Sequence, residues 1–179
     1  MIFRDQFVQK MFDNQLMKLF ILIQASLLLL SRPCFSQTDS FDVFTYRSPE
    51  FFTKSELPSR LQFTMSNADG NFCTITLYKS QHTKEDVMKN VTSQWNEQVV
   101  KRLTKASKKP GKTMTGQLLD GWASTLAIGN FYHNKKKSVV ILNSFGKDQT
   151  SACITFAFTD PLFKGAVETF SKNLHLKNK

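Results

Sequence analysis

The chain has 179 residues, with 24 Lys and Arg against 14 Asp and Glu, a net charge of +10 and a pI of about 9.6. That length holds one ordinary domain with enough chain for a core, and excludes an assembly of several. The basic balance admits anionic lipid, polysaccharide or an acidic protein as partner, while nucleic acid is excluded by the address carried in the first 36 residues.

Lys18 is followed by an apolar run, Leu19–Leu30, broken only by Gln24 and Ser26, and then by Ser31-Arg32-Pro33 and Cys34-Phe35-Ser36. Basic n-region, short apolar h-region, helix breaker and small residues are the order of a secretory signal. A membrane span needs about 20 apolar residues, which this run does not reach. We read residues 1–36 as a cleaved signal, with Gln37 starting the mature chain and Met17 as a possible start. The alternative is an uncleaved anchor; after cleavage no stable span is expected. Lipidation at Cys34 is disfavoured by Arg32-Pro33 before it. Residues 1–36 carry four basic and two acidic residues, which leaves 20 against 12, or +8, for the rest.

Residues 37–41 read as a polar tail and 42–176 as a single domain. Asp42–Arg47 reads as a first strand. Ser48–Ser59 contains Pro49 and Pro58 and reads as a loop, with Phe51-Phe52 under the core. Arg60–Ser66 and Asn71–Lys79 read as strands joined by the turn Asn67–Gly70, where Gly70 can take a positive φ. Thr83 is expected to cap a helix, with Asp86 three residues on. Val87, Val91, Trp95, Val99 and Leu103 recur every fourth residue and form its apolar stripe. Trp95 at that spacing is a core residue. Pro110-Gly111 is expected to stop the helix, and Lys101, Arg102, Lys105, Lys108 and Lys109 gather near its end.

Four strands fit 113–119, 122–132, 138–145 and 151–159, with turns at Asp120-Gly121, Asn134–Lys137 and Gly146–Asp148. Short connections imply antiparallel neighbours. Asp160 then caps a last helix with Pro161 at its first position and Phe163, Val167, Phe170 and Leu174 inward. The expected order is βββ–α–ββββ–α, an α+β sandwich of an antiparallel sheet with two packed helices.

Few residues offer chemistry. Ala106–Thr113 has a P-loop look, but a helix precedes it and a strand follows, the reverse of what phosphate binding requires. His82, His133 and His175 lack ligand spacing. There is no Gly-x-Ser-x-Gly elbow. Asn90-Val91-Thr92 matches a glycosylation sequon inside the first helix. Cys73 is in phase with Ile75 and Leu77, whereas Cys153 is out of phase with Ile154 and Phe156, which argues for two free thiols on opposite faces. Lys135–Lys137 marks a solvated hairpin tip. Trp122, at a strand start, is the lid of a core or the floor of a groove.

The element order, with Gly70–Cys73 leading a strand, Trp95 central in a helix and Gly121-Trp122 opening a strand, resembles the PsbP-like fold family. That family includes an extrinsic photosystem II subunit and many exported bacterial proteins of unknown role. The resemblance covers roughly residues 42–176. It implies an α+β sandwich and carries over no site residues, because fold does not transfer function.

The resulting expectation is an exported (periplasmic or secreted) binding or accessory protein of unknown ligand, acting on an envelope protein or anionic surface. The alternatives are a small exported enzyme with a site assembled from distant residues, or a basic module docking on envelope lipid or polysaccharide. No catalytic residue, metal ligand or cofactor is assigned. The possible contacts are Trp122, Lys101, Arg102, Lys105, Lys108 and Lys109.

Overall fold

The computed structural model of the chain describes residues 38–117 and 121–177, with side chains apart from that of Gln117. The signal reading of residues 1–36 and its cleavage point lie outside the described residues. The described part belongs to one compact unit, Thr38–Lys179.

Its elements are β1 (Thr38–Phe41), β2 (Phe44–Arg47), β3 (Thr53–Leu57), β4 (Arg60–Ser66) and β5 (Phe72–His82). Then come α1 (Val87–Trp95), a π-helical turn (Asn96–Val100), β6 (Lys112–Gln117), β7 (Ala123–His133), β8 (Lys136–Lys147) and β9 (Thr150–Phe158). A 3-10 turn (Pro161–Phe163), α2 (Lys164–Lys172) and β10 (His175–Leu176) close the chain. Seven strands form one antiparallel sheet in the order β3-β4-β5-β9-β8-β7-β6, and β1-β2-β10 form a small second sheet. The α+β class holds, and no helix among the described residues is long and apolar enough to cross a membrane.

The topology explains the layering. The chain leaves β5 in the interior of the sheet and re-enters at the far edge, β6, so the connection must cross β9, β8 and β7. That crossing lays α1 over one face, where Val91, Trp95 and Val99 meet Ala127, Phe131, Val140 and Leu142. Gly129 makes room for Trp95: a Cβ there would lie 2.7 Å from the indole ring. The indole N–H donates to the Ser107 carbonyl at 2.9 Å. On the opposite face Leu61, Phe63, Ile75, Leu77, Ile154 and Phe156 form the larger core. Phe163, Val167 and Phe170 of the last helix and Phe44, Tyr46 and Leu176 of the small sheet cover it. At about 25 cal/mol per Å² of apolar area, these two buried layers supply the main drive to fold.

Several expectations need correction. Residues 38–41 are not a tail. They pair with β2 from Thr38↔Arg47 to Phe41↔Phe44, turning at Asp42, whose φ is 53°. Asp42 accepts the Ser80 N–H, which ties this hairpin to β5. The expected loop 48–59 contains β3, joined to β4 across Pro58-Ser59, with Leu57↔Arg60 as the last pair. Every β3 side chain is exposed, so no apolar alternation marked it. Phe52 does pack on the core, but Phe51 is 90 % exposed.

The first helix starts later and ends sooner than its pattern suggests. Asp86, not Thr83, is the cap, accepting Lys89 N–H at 2.9 Å. Thr83 Oγ1 accepts Glu85 N–H instead. Residues 104–111 leave the helix and run along β7, through Tyr132 N–H to the Thr104 carbonyl (3.0 Å), Ser107 N–H to Asn130 (2.8 Å) and Gly111 N–H to Ile128 (2.8 Å). These bonds replace the helical ones that Pro110-Gly111 was expected to end. The strands after it fall close to their expected places, except that the end of the expected strand 113–119 and Asp120 of the expected turn lie outside the described residues; two-residue turns stand at Asn134-Lys135 and Asp148-Gln149, all four at positive φ. Asp160 caps the last helical segment, accepting Leu162 N–H at 2.8 Å.

Cys73 and Cys153, the two cysteines among the described residues, are buried and free. Cys73 pairs across to Phe158, and Cys153 to Tyr78, which puts them on opposite faces as their phases require. Burial pushes each thiol up to about 12, so both stay protonated. Asn90 of the sequon is 6 % exposed, and its amide donates to the Glu85 carbonyl at 3.2 Å. The folded chain gives a glycan no access there.

Candidate functional site

The six expected contact residues are not brought together. Trp122 is 1 % exposed and belongs to the larger core. The lid is the reading its burial fits. The basic cluster divides around α1. Lys101 follows the π-helical turn and pairs with Glu97. Arg102 swings to the β5 side, its guanidinium 5.7 Å from the centre of the Tyr78 ring. Lys105 sits in a left-handed kink, φ 49°. Lys108 and Lys109 lie on the other side of the helix, in a shallow groove of about 630 Å³ with Glu85, Lys89 and Trp95. That groove mixes charges of both signs. A second hollow, of about 320 Å³, lies between Arg47–Phe52 and α2 and is lined by Phe51, Phe52, Ala166 and Phe170.

The cleft with most chemistry is on the α1 side of the sheet, beyond the helix toward β4. It has a volume of about 370 Å³, within the roughly 300–1,000 Å³ of ligand sites. Its floor is the outward set of β5, Phe72, Thr74, Thr76 and Tyr78, with Gln62 and Arg60 of β4 beside it and Thr155 and Ala157 of β9 behind. Period 2 places these residues on the face opposite Cys73, Ile75 and Leu77. Its wall is Gln98, Arg102 and Leu103, at the end of the helical segment. Gln98 and Arg102 are four apart, and Arg102 Nε–H donates to Gln98 Oε1 at 2.8 Å, which holds the guanidinium over the floor.

Arg60 and Tyr78 are direct partners across β4 and β5, so two guanidiniums converge on one buried phenol. Burial raises the Tyr78 pKa; a hydrogen bond with Thr155 opposes this, Cys153 adds to it, and Arg102 and Arg60 pull it down. The phenol is therefore a neutral donor at physiological pH. Among the described residues no Asp or Glu lines this cleft. Arg60 Nε is buried with no hydrogen-bond partner. An unmet buried polar group costs about 1–3 kcal/mol, more when charged. Gln94, Trp122, Asn143 and Ser144 carry such atoms too, and none of them lines the cleft, so the state of Arg60 Nε marks an open donor without by itself defining a site.

Among the described residues no three His, Cys, Asp or Glu come close enough to hold a metal. The sequence reading found Arg102 but missed Arg60, Gln98, Tyr78 and Thr155. The signal was present as the polar alternate positions of Cys73–Tyr78, which the apolar phase of the same strand overshadowed.

No family model matches this chain, and no curated protein matches it. Solved structures share the fold. A Pseudomonas aeruginosa protein of unknown function, PA94, has 12% identity and a TM-score of 0.51 over 72% of this chain and 99% of its own. Cyanobacterial PsbP (CyanoP) from Synechocystis sp. PCC 6803 has 6% identity and a TM-score of 0.53 over 82% of this chain and 96% of its own. The chain thus has a PsbP-like fold relationship. At these identities the likeness is one of fold alone.

Proposed function

We propose that this chain is an exported accessory protein that acts by binding, with the cleft among β4, β5, β9 and the end of the α1 segment as its ligand site. The observation that carries the reading is the cleft's lining: two guanidiniums, a neutral phenol and threonine hydroxyls face one space without a carboxylate. Export rests on Lys18, the apolar run Leu19–Leu30 and Cys34-Phe35-Ser36. A purely electrostatic docking module is less well supported, because the five cations near α1 point to different sides of it.

The test is a two-dimensional amide NMR titration of the protein, purified from the cells that express it, with the small-molecule fraction of its own envelope. Shifts confined to Thr74, Thr76, Tyr78, Gln98 and Arg102 are the expected result. Shifts only at Ser93, Lys108 and Lys109, which line the groove on the other side of the helix, or none at all, would refute the cleft as the ligand site.

A further inference from the structure

The cleft is chemically polarised along its length, and this defines a ligand class. At one end Arg60, Tyr78 and Arg102 converge, paired across strands or stacked. Six residues back along β5 lies Phe72, about 20 Å away at the strand rise. Phe72 and Leu103 form the half-buried rim of the α1-side core, and Ala157 completes that apolar end. Between the ends the floor is threonine, neutral and able to donate or accept.

We infer that the cleft takes a small amphipathic organic acid, its carboxylate at the Arg60–Arg102 end and its apolar body toward Phe72 and Leu103. This inference rests on the proposed binding function and names its ligand. A guanidinium presents parallel N–H groups that match a planar carboxylate. Arg60 Nε–H is buried without a partner, and a carboxylate oxygen is the acceptor it lacks. The Tyr78 hydroxyl, hydrogen-bonded with Thr155, is a further polar group at the same end. Inorganic phosphate would satisfy the charged end alone and leave the apolar end wet, so it binds more weakly than a carboxylate with a tail. A cationic amphiphile meets two positive groups and no negative one, and is rejected.

The probes are dodecanoate, whose extended chain is long enough to reach from the guanidiniums to the Phe72 ring, inorganic phosphate and dodecylammonium, each titrated into the protein and followed by amide NMR. Dodecanoate is expected to give saturable shifts at Phe72, Thr74, Thr76, Tyr78 and Gln98, phosphate weaker ones near Tyr78 and Gln98, and dodecylammonium none. R60Q and R102Q should each weaken dodecanoate about tenfold or more, the loss expected for a charge-assisted hydrogen bond. K101Q, whose lysine pairs with Glu97 away from the cleft, should bind as the parent does. Should R60Q fold poorly, R102Q alone decides, since Arg102 is exposed. Dodecanoate and dodecylammonium binding alike, phosphate matching dodecanoate, or R102Q binding dodecanoate unchanged would each overturn the ligand class. If the envelope fraction shifts the cleft resonances while dodecanoate up to its solubility limit does not, the ligand class is wrong and the binding reading stands. If neither shifts them, both fall.

Discussion

The seat of Trp95 gives the sharpest test of the packing. Trp95 is 1 % exposed, and the space it fills exists because residue 129 has no side chain. A Cβ on Gly129 would sit 2.7 Å from two atoms of the indole ring, well inside van der Waals contact. Gly129→Ala should therefore displace the ring and cost about 1–3 kcal/mol as overpacking. Trp95→Ala removes the ring, leaves a cavity and breaks the bond to the Ser107 carbonyl, for about 3–5 kcal/mol. The double variant is the informative one. With the indole gone, the added methyl meets nothing tighter than 3.8 Å, at Pro110 Cα, and alanine suits a strand better than glycine by about 0.5–1 kcal/mol. Gly129→Ala should thus be neutral or slightly stabilising in the Trp95→Ala background, a coupling of about 1–3 kcal/mol. Urea unfolding of the four proteins measures it. If Gly129→Ala costs the same with and without Trp95, the clash is not its cause and the account of this seat is wrong.

Other expectations follow from the same structure and sequence. Intact-mass measurement of the native protein should find an N-terminus within a few residues of Gln37, and a full-length cytosolic form would contradict export. Burial pushes Cys73, Cys153 and Tyr46 up to about 12, with Asp39 and Glu56 adding to the effect on Tyr46. The folded state then holds these protons more tightly than the unfolded chain, so this stability is complete below the thiols' ordinary 9.0 and is lost as pH rises toward about 12. Urea midpoints should fall across that range, and native-state alkylation of both thiols near pH 8 should be slow; rapid labelling of either would contradict their burial. Co-sedimentation with anionic vesicles should be weak and vanish with salt, because exposed charges are screened within about 8 Å at physiological ionic strength. Binding that persists at high salt would favour a membrane-docking role.

Much of the fold was written in the sequence because burial leaves a periodic trace. Val91, Trp95 and Val99 at helical spacing, Ile75 and Leu77 at strand spacing, and Asp160-Pro161 at a helix start each declared their element locally. The α+β class followed from their order. The short polar strands left no such trace. β3 is exposed throughout and β10 is two residues long; each exists because backbone groups of a neighbouring strand pair with it, and backbone hydrogen bonding is blind to side-chain hydropathy. The same cause ended α1 early, since β7 offered residues 104–111 better partners than another helical turn. The cleft was decided by tertiary structure. Arg60, Tyr78, Arg102 and Thr155 are spread over 95 positions of sequence, and only the passage of α1 across the sheet, with β9 inserted beside β5, brings them to one space.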